Sequence, residues 1–352
     1  MMRKKIAVAM SGGVDSSLAA ALLKEAGHDV LGITLRLWGE ERDSEQAIAS
    51  SKAVCKTIGI DHKILDLRES FKKEIIDNFI GQYVSGLTPN PCVRCNELIK
   101  FGILMKLADL FRAEWLATGH YARVMINGQS GRYNLLTAMD GNKDQSYFMY
   151  RLSQRQLGMA RFPLGEMTKE EVRIRAREMG LPSAGNEESQ EVCFIPDNDY
   201  RGFIEAEMPD AVREGNFVDT KGNVLGSHRG IAFYTVGQRK GLGVSSPLGR
   251  RYVLDRDTAT NRVVLGDEEE LKKPDCLVAD TNWIRMEAPT EVFEADVKLR
   301  YRFKPVRATL IPEEGGVRIR FKTPESGVSP GQSAVFYDGD AVVGGGIIQK
   351  EK

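Results

Sequence analysis

Three of the five cysteines in this 352-residue chain stand where sulfur could react. Cys92 and Cys95 form a C-x-x-C pair inside Thr88-Pro89-Asn90-Pro91-Cys92-Val93-Arg94-Cys95-Asn96, a proline-bounded loop. The loop feeds a stretch in which Leu98, Phe101, Met105 and Ala108 share one helical face. The pair is therefore expected at a helix N-terminus, where the helix dipole and Arg94 favour thiolate, the form that attacks electrophiles and binds metals. A structural zinc site would need two further ligands and buried cysteines are common, so the pair alone leaves its chemistry open. Cys193 follows a polar run, Glu187 to Glu191, and reads as entering an apolar strand near a domain junction, where active sites often form. Cys55 shares a helical pattern with Ala47, Val54 and Ile58, and Cys276 opens the apolar run to Ala279, so both read as core.

A second constellation lies near the N-terminus. The apolar run Lys5 to Met10 passes into Ser11-Gly12-Gly13-Val14-Asp15-Ser16-Ser17 and then a helical stretch closed by Gly27. Strand, glycine turn and helix in that order make successive backbone N–H groups converge where an anion can sit. The spacing fits neither G-x-x-x-x-G-K-[ST] nor G-x-G-x-x-G, which sets aside Walker-type and dinucleotide-type binding. SGGVDSS instead resembles the PP-loop of ATP pyrophosphatases. That resemblance implies ATP held by its pyrophosphate end, attack on the α-phosphorus, an adenylated oxygen, and AMP and pyrophosphate as products. The plainer alternative is a glycine turn with a serine helix cap.

The elements that must position these residues change character along the chain. Strand patterns at Val30 to Leu37, His62 to Leu67 and Trp115 to Thr118 alternate with helical ones at 44–58, 71–83 and 96–111, predicting a parallel sheet covered on both faces. After about residue 200 short strands follow one another between Gly, Asp and Asn turns, as at 251–255, 257–261 and 262–265. Segment 268–275, acidic, then basic, then holding Pro274, reads as a linker. The expected organisation is an α/β PP-loop catalytic domain over 1–199, a small, mostly β central domain over 200–269 and a C-terminal β-barrel over 270–352. Lys+Arg and Asp+Glu are both 49, so any RNA site must be local rather than a field of the whole chain. No signal sequence and no run of roughly 18 apolar residues is present, which makes the cytoplasm the expected location and a membrane role unexpected.

Taken in order, SGGVDSS, TPNPCVRCN, ATGHYAR, NKDQSYF, ESQEVCFI, YTVGQRKGLG, CLVADTNW and LRYRF resemble the bacterial tRNA-specific 2-thiouridylase family across essentially the whole chain. The resemblance implies ATP-dependent thiolation of the wobble uridine of glutamate, glutamine and lysine tRNAs, with Mg2+ and a persulfide donor such as a cysteine desulfurase or a sulfur-relay protein. It implies that Ala9, Met10, Ser11, Gly12, Gly13, Val14, Asp15 and Ser16 hold the phosphates and that Leu35 and Gly119 line the nucleotide pocket. Asn90, Pro91 and Cys92 would face the target base; His120, Lys143, Asp144, Gln145, Tyr301, Arg302 and Gln332 would touch tRNA. Cys95 would be the nucleophile and Cys193 the persulfide carrier. One position departs: many members carry Asp where this chain has Cys92, which puts that group's acid/base role in doubt. A thiol can move protons, but Cys92, Cys95 and Cys193 could equally hold three corners of an iron–sulfur cluster.

The chemistry read from the residues agrees. A pyrimidine C2 oxygen leaves poorly until it is adenylated. A Cys193 persulfide can then place sulfur on C2, with Cys95 resolving the adduct as a disulfide. For RNA contact, alternation over 295–304 puts Lys298, Arg300, Arg302 and Lys304 on one strand face, and 317–322 repeats it with Arg318, Arg320 and Lys322. A solvated strand face would look the same. Two rival functions remain at this level: another PP-loop enzyme adenylating a small carboxylate or amide, and an RNA-binding or redox module with a vestigial nucleotide loop.

Overall fold

The computed structural model describes residues 3–38, 41–186, 192–195, 199–244 and 250–351. Seven strands belong to the first part of the chain: β1 Lys5–Ala9, β2 Asp29–Arg36, β3 Asp61–Asp66, β4 Trp115–Ala117, β5 Arg123–Ile126, β6 Tyr133–Leu136 and β7 Ala160–Arg161. Five of them make a parallel sheet in the order β3-β2-β1-β4-β7. β1 is the middle strand, and its Ile6, Ala7 and Val8 are fully buried because helices cover both faces, which is why it reads as an unbroken apolar run. Helix α1, Val14–Glu25, is buried on both sides: Ala20 packs with Ile6 and Val8 of the sheet, while Leu18, Ala19 and Ala21 pack with Leu164, Val172 and Ala176. Helix α2, Glu41–Ile58, places buried Cys55 against Gly32, where even a Cβ would lie 2.6 Å from its sulfur.

A central sheet follows, in the order β10-β11-β8-β9, from β8 Gly215–Val218, β9 Val224–His228, β10 Tyr252–Asp257 and β11 Arg262–Gly266. The last six strands are β12 Lys273–Trp283, β13 Phe293–Lys298, β14 Val306–Glu313, β15 Gly316–Glu325, β16 Ser333–Asp338 and β17 Ala341–Ile348. They form an antiparallel barrel closed by pairing of β12 with β17. Closure removes the exposed edges that an open sheet would leave. A parallel α/β sheet, a small central domain and a terminal barrel are thus what the change in sequence texture foretold. The β5–β6 hairpin was not foretold: it leaves the α/β layer and pairs Leu136 with Ala341 of β17, stitching the first domain to the barrel.

Four local expectations need correction. Residues 257–261 are not a strand but the turn between β10 and β11: Asp257 accepts from the backbone N–H of Ala259 and Thr260, and Asn261 takes the left-handed conformation at φ 52°. Segment 268–275 is not a loose linker, because Asp267 caps a helix over Glu268–Leu271 and β12 begins at Lys273. Described residues 192–195 form a turn rather than a strand. The basic face over 295–304 is broken, since β13 ends at Lys298 and the chain bends over 299–303.

Candidate active site

The glycine turn after β1 is built to receive an anion. Met10 N–H bonds Ile33 C=O at 2.8 Å, and Ser11 N–H bonds the Ser16 hydroxyl at 3.1 Å, folding the loop over the start of α1. Gly12 has φ +80°, and a Cβ there would meet the Ala47 carbonyl oxygen at 2.8 Å, so only glycine fits. The Gly12 carbonyl accepts from Ser50 at 2.8 Å and from the Asn186 amide at 3.1 Å. Gly13 is the helix cap and among the described residues no side chain caps the first-turn N–H groups, which leaves them available to an anion. Gly119 packs backbone to backbone on the same turn: a Cβ would sit 2.6 Å from Ser16 N. Asp15 is bound through both oxygens by Lys169 at 2.7 Å and receives the Tyr121 hydroxyl at 2.8 Å, which locks α1 in place.

The cysteine loop is equally constrained. Asn90 Oδ1 accepts from Val93 N–H at 3.3 Å and Pro91 occupies the first helical position, so the helix Pro91–Cys95 must begin there. Gln332 donates to the carbonyls of Thr88 and Pro89, and Pro330 C=O receives Thr88 N–H at 2.8 Å, tying the loop to the barrel. After Cys95 the helix widens into a π-helical stretch, Asn96–Ile103. On the opposite wall Cys193 is held by Phe194, which is fully buried among Phe71, Phe79 and Phe203 at ring distances of 5.3–5.8 Å.

One cavity of about 380 Å³ lies between these parts. It is lined by Ala9, Met10, Ser11, Asp15 and Ser16 of the phosphate loop, by Leu35 and Gly119, and by Pro91, Cys92, Cys95, Cys193, His120 and Gln145. Gly12, Gly13 and Val14 form the loop behind it, while Asn90 faces a separate small polar cavity on the far side of the cysteine helix. Lys143, Asp144, Tyr301, Arg302 and Gln332 do not line the main cavity. Asp144, expected at the RNA surface, is only 4% exposed; its carboxylate accepts from Ala138 N, Ser146 N and the Ser146 hydroxyl, with Lys298 at 3.8 Å. Tyr301 leans on Phe148 at 4.4 Å, and Arg302 is exposed. On β15, Arg318 is neutralised by Asp275, Glu313 and Glu351, so that strand carries less free positive charge than its sequence suggests.

The expected thiolate environment is not the one present. Arg94 turns to Glu74, bonding its carboxylate at 2.9 Å and its carbonyl at 2.6 Å. Burial pushes the Cys92 thiol up to about 11, helped by Cys193, against the pull of Lys100. Cys95 rises to about 12 by burial, again opposed by Lys100. Cys193 is exposed as a residue, yet the cleft desolvates its sulfur and raises it too, with Lys100 opposing. His120 Nδ1 is 2.8 Å from the Thr118 hydroxyl, and its Nε2 is 3.4 Å from Lys100 Nζ. Since the lysine can only donate, Nε2 accepts and Nδ1 carries the proton; burial and Lys100 hold the ring well below its usual range, hence neutral.

Among the described residues no three His, Cys, Asp or Glu side chains are disposed to hold a single metal ion. Lys100, Thr118, Lys169, Ser50 and Asn186 were not singled out from sequence. Only Lys100 had a signal, a cation on the helix five residues after Cys95. Among the described residues no helix is long and apolar enough to cross a membrane.

Comparison with known proteins agrees with this arrangement. Residues 4–197 match the family model described as tRNA methyl transferase HUP domain, 201–267 the tRNA methyl transferase PRC-barrel domain and 273–348 the aminomethyltransferase beta-barrel domain. The tRNA-specific 2-thiouridylase MnmA of Clostridium perfringens is 44% identical over 360 residues, covering 99% of each chain. The same-named protein of Clostridium acetobutylicum is 44% identical, over 99% of this chain and all of its own, and that of Heliobacterium modesticaldum 46%, over 99% and 93%. With a phosphate loop and three thiols around one cavity, and full-length identity at this level, the chain belongs to the tRNA-specific 2-thiouridylase family.

Proposed function

We propose that this chain uses ATP to replace the C2 oxygen of the wobble uridine of glutamate, glutamine and lysine tRNAs with sulfur. The observation that carries the reading is that the phosphate loop and the Cys92, Cys95 and Cys193 thiols share one cavity, so an activated oxygen and a sulfur nucleophile meet without a carrier step. The loop and the first turn of α1 would hold ATP, as its Mg2+ complex, with the α-phosphorus toward the cavity. The uridine O2 attacks that phosphorus and pyrophosphate leaves. The terminal sulfur of a Cys193 persulfide then attacks C2; the C2–O bond breaks, and AMP departs with the oxygen and the electron pair.

Cys95, as thiolate, next attacks the Cys193 sulfur. A Cys95–Cys193 disulfide forms, the C2-bound sulfur leaves with the electron pair as the thiocarbonyl, and N3 regains a proton. The cysteines are oxidised by two electrons and the sulfane sulfur is reduced by two, so each turnover needs a persulfide donor and a dithiol reductant. Five free cysteines suit a reducing compartment, the cytoplasm. Cys92, keeping its proton at neutral pH, suits a hydrogen-bond donor to the base rather than a general base. Methyl transfer, the words attached to two of the matching family models, would leave both the phosphate loop and the thiols without a task.

The test is reconstitution of the purified chain with ATP, unmodified tRNA, a persulfide donor and an iron chelator. 2-Thiouridine with stoichiometric AMP supports the reading. AMP formation on a small carboxylate or amide without tRNA would replace it.

A further inference from the structure

Lys100 is the only lysine or arginine among the described residues that line the main cavity. Asp15, across the cavity, is already neutralised by Lys169 at 2.7 Å. Among the described residues Lys100 has one hydrogen-bond partner, the neutral His120 at 3.4 Å, and no carboxylate. An ammonium facing a partly closed cavity without a counter-charge is a place prepared for an anion.

The backbone explains how it reaches that place. In a regular α-helix a residue five positions on lies roughly 140° around the axis, so Lys100 and Cys95 would point to different surroundings. The π-helical stretch Asn96–Ile103 closes i→i+5 and turns less per residue, which brings Lys100 back over the cysteine side. Wide turns of this kind are rare and occur frequently at functional sites.

We propose that Lys100 is the shared counter-ion of the sulfur anions in this reaction, first for the Cys193 persulfide that attacks C2 and then for the Cys95 thiolate that resolves the adduct. The proposal rests on the thiolation reading. Each of the three thiols feels Lys100 as the opposing influence to burial, and no other cation lines the cavity among the described residues. The groups facing Lys100 are Cys92 and Cys95 from its own helix, Cys193 from the facing turn, His120 from the turn after β4 and, farther off, the Asp15–Lys169 pair. His120 stays neutral and Asp15 is paired, so a change in the thiols' pH response on altering residue 100 reports the ammonium.

The test uses full-length Lys100→Met and Lys100→Arg, each checked for an unchanged melting temperature. Cysteine-resolved iodoacetamide labelling is followed from neutral to alkaline pH alongside tRNA-dependent ATP/pyrophosphate exchange. Lys100→Met should slow labelling of Cys193 and Cys95 about tenfold at neutral pH and move both profiles to higher pH, with exchange kept. Lys100→Arg should track the wild type. Unchanged labelling profiles in folded Lys100→Met would overturn the proposal, as would loss of exchange with labelling intact, which would assign Lys100 to phosphate. If Lys100→Met does not fold, Lys100→Arg against Lys100→Gln gives the same comparison. Labelling needs no turnover, so a wild type inactive on tRNA would sink the thiolation reading without deciding this point.

Discussion

The Arg256 guanidinium on β10 donates from Nη2 to the Thr88 hydroxyl at 2.8 Å, across the boundary between the central sheet and the loop that leads into Cys92. Ser329 of the barrel region donates to the same hydroxyl at 3.1 Å, so Thr88 is where three domains meet. Arg256 is fully buried; its Nη1 donates to Tyr234 C=O, its Nε has no partner among the described residues, and burial pulls it down to about 10. A buried cation bonded to a carbonyl and a hydroxyl adds little net stability but fixes orientation.

Arg256→Met should therefore leave the unfolding free energy within about 2 kcal/mol of wild type, lost hydrogen bonds being offset by removal of a poorly compensated charge. It should nevertheless lower the kcat of thiolation about tenfold, roughly 1.4 kcal/mol of barrier, because the cysteine loop loses its tie. Denaturant unfolding beside steady-state thiolation checks this; unchanged kcat in a folded variant would leave Arg256 a packing residue only.

The glycines of the nucleotide loop should separate by cause. A Cβ on Gly119 meets Ser16 N at 2.6 Å, so Gly119→Ala must push the loop off α1 and lose both stability and ATP/pyrophosphate exchange. A Cβ on Gly13 meets nothing nearer than Ser11 Oγ at 3.6 Å. Gly13→Ala should melt like the wild type yet lose exchange, because the methyl group enters the space a phosphate must occupy. Full exchange by Gly13→Ala would move the phosphate site away from this turn.

Burial sets the sign of the thiols' pH dependence. Cys276 rises from 9.0 to about 12, so above about pH 9 the unfolded chain loses this proton first. Stability from this group is whole below that pH and drains as pH rises toward the folded value, by about 1.4 kcal/mol per pH unit. Urea titrations should show the wild type losing stability more steeply than Cys276→Ala in that alkaline window; equal slopes would contradict it. Labelling should reach exposed Cys193 before buried Cys55, Cys95 and Cys276.

Two arginines of the barrel region should respond differently. Arg302 is exposed, and Arg302→Ala should weaken tRNA binding and lower the salt slope by about one phosphate contact. Arg318 is held by Asp275, Glu313 and Glu351, so Arg318→Ala should leave the slope unchanged. Filter binding across a salt series decides; equal slopes for Arg302→Ala and wild type would return that bend to a solvated surface.

The phosphate loop and the fold class were legible because each is written locally: a buried run, glycines at fixed offsets, a helix start, and later short strands between turns. The meeting of Cys193 with Cys92 and Cys95 was legible only through family resemblance, since nothing in spacing alone brings residue 193 to residue 95. What local reading missed depends on register and distant partners. Lys100 needs a π-helical turn that no residue type announces. Arg94, adjacent to Cys95 in sequence, is drawn off by Glu74. Asp144, polar and flanked by Lys143 and Gln145, is buried, its Oδ1 taken by the backbone N–H groups of Ala138 and Ser146 and its Oδ2 by the Ser146 hydroxyl.

The central claim is tested most directly by nucleoside mass spectrometry of glutamate, glutamine and lysine tRNAs from cells deleted for this gene and complemented with wild type or Cys193→Ser. Wobble 2-thiouridine should vanish on deletion, return with the wild type and stay absent with Cys193→Ser. Wild-type levels of 2-thiouridine in the deletion strain, with no second copy of the gene present, would contradict the account.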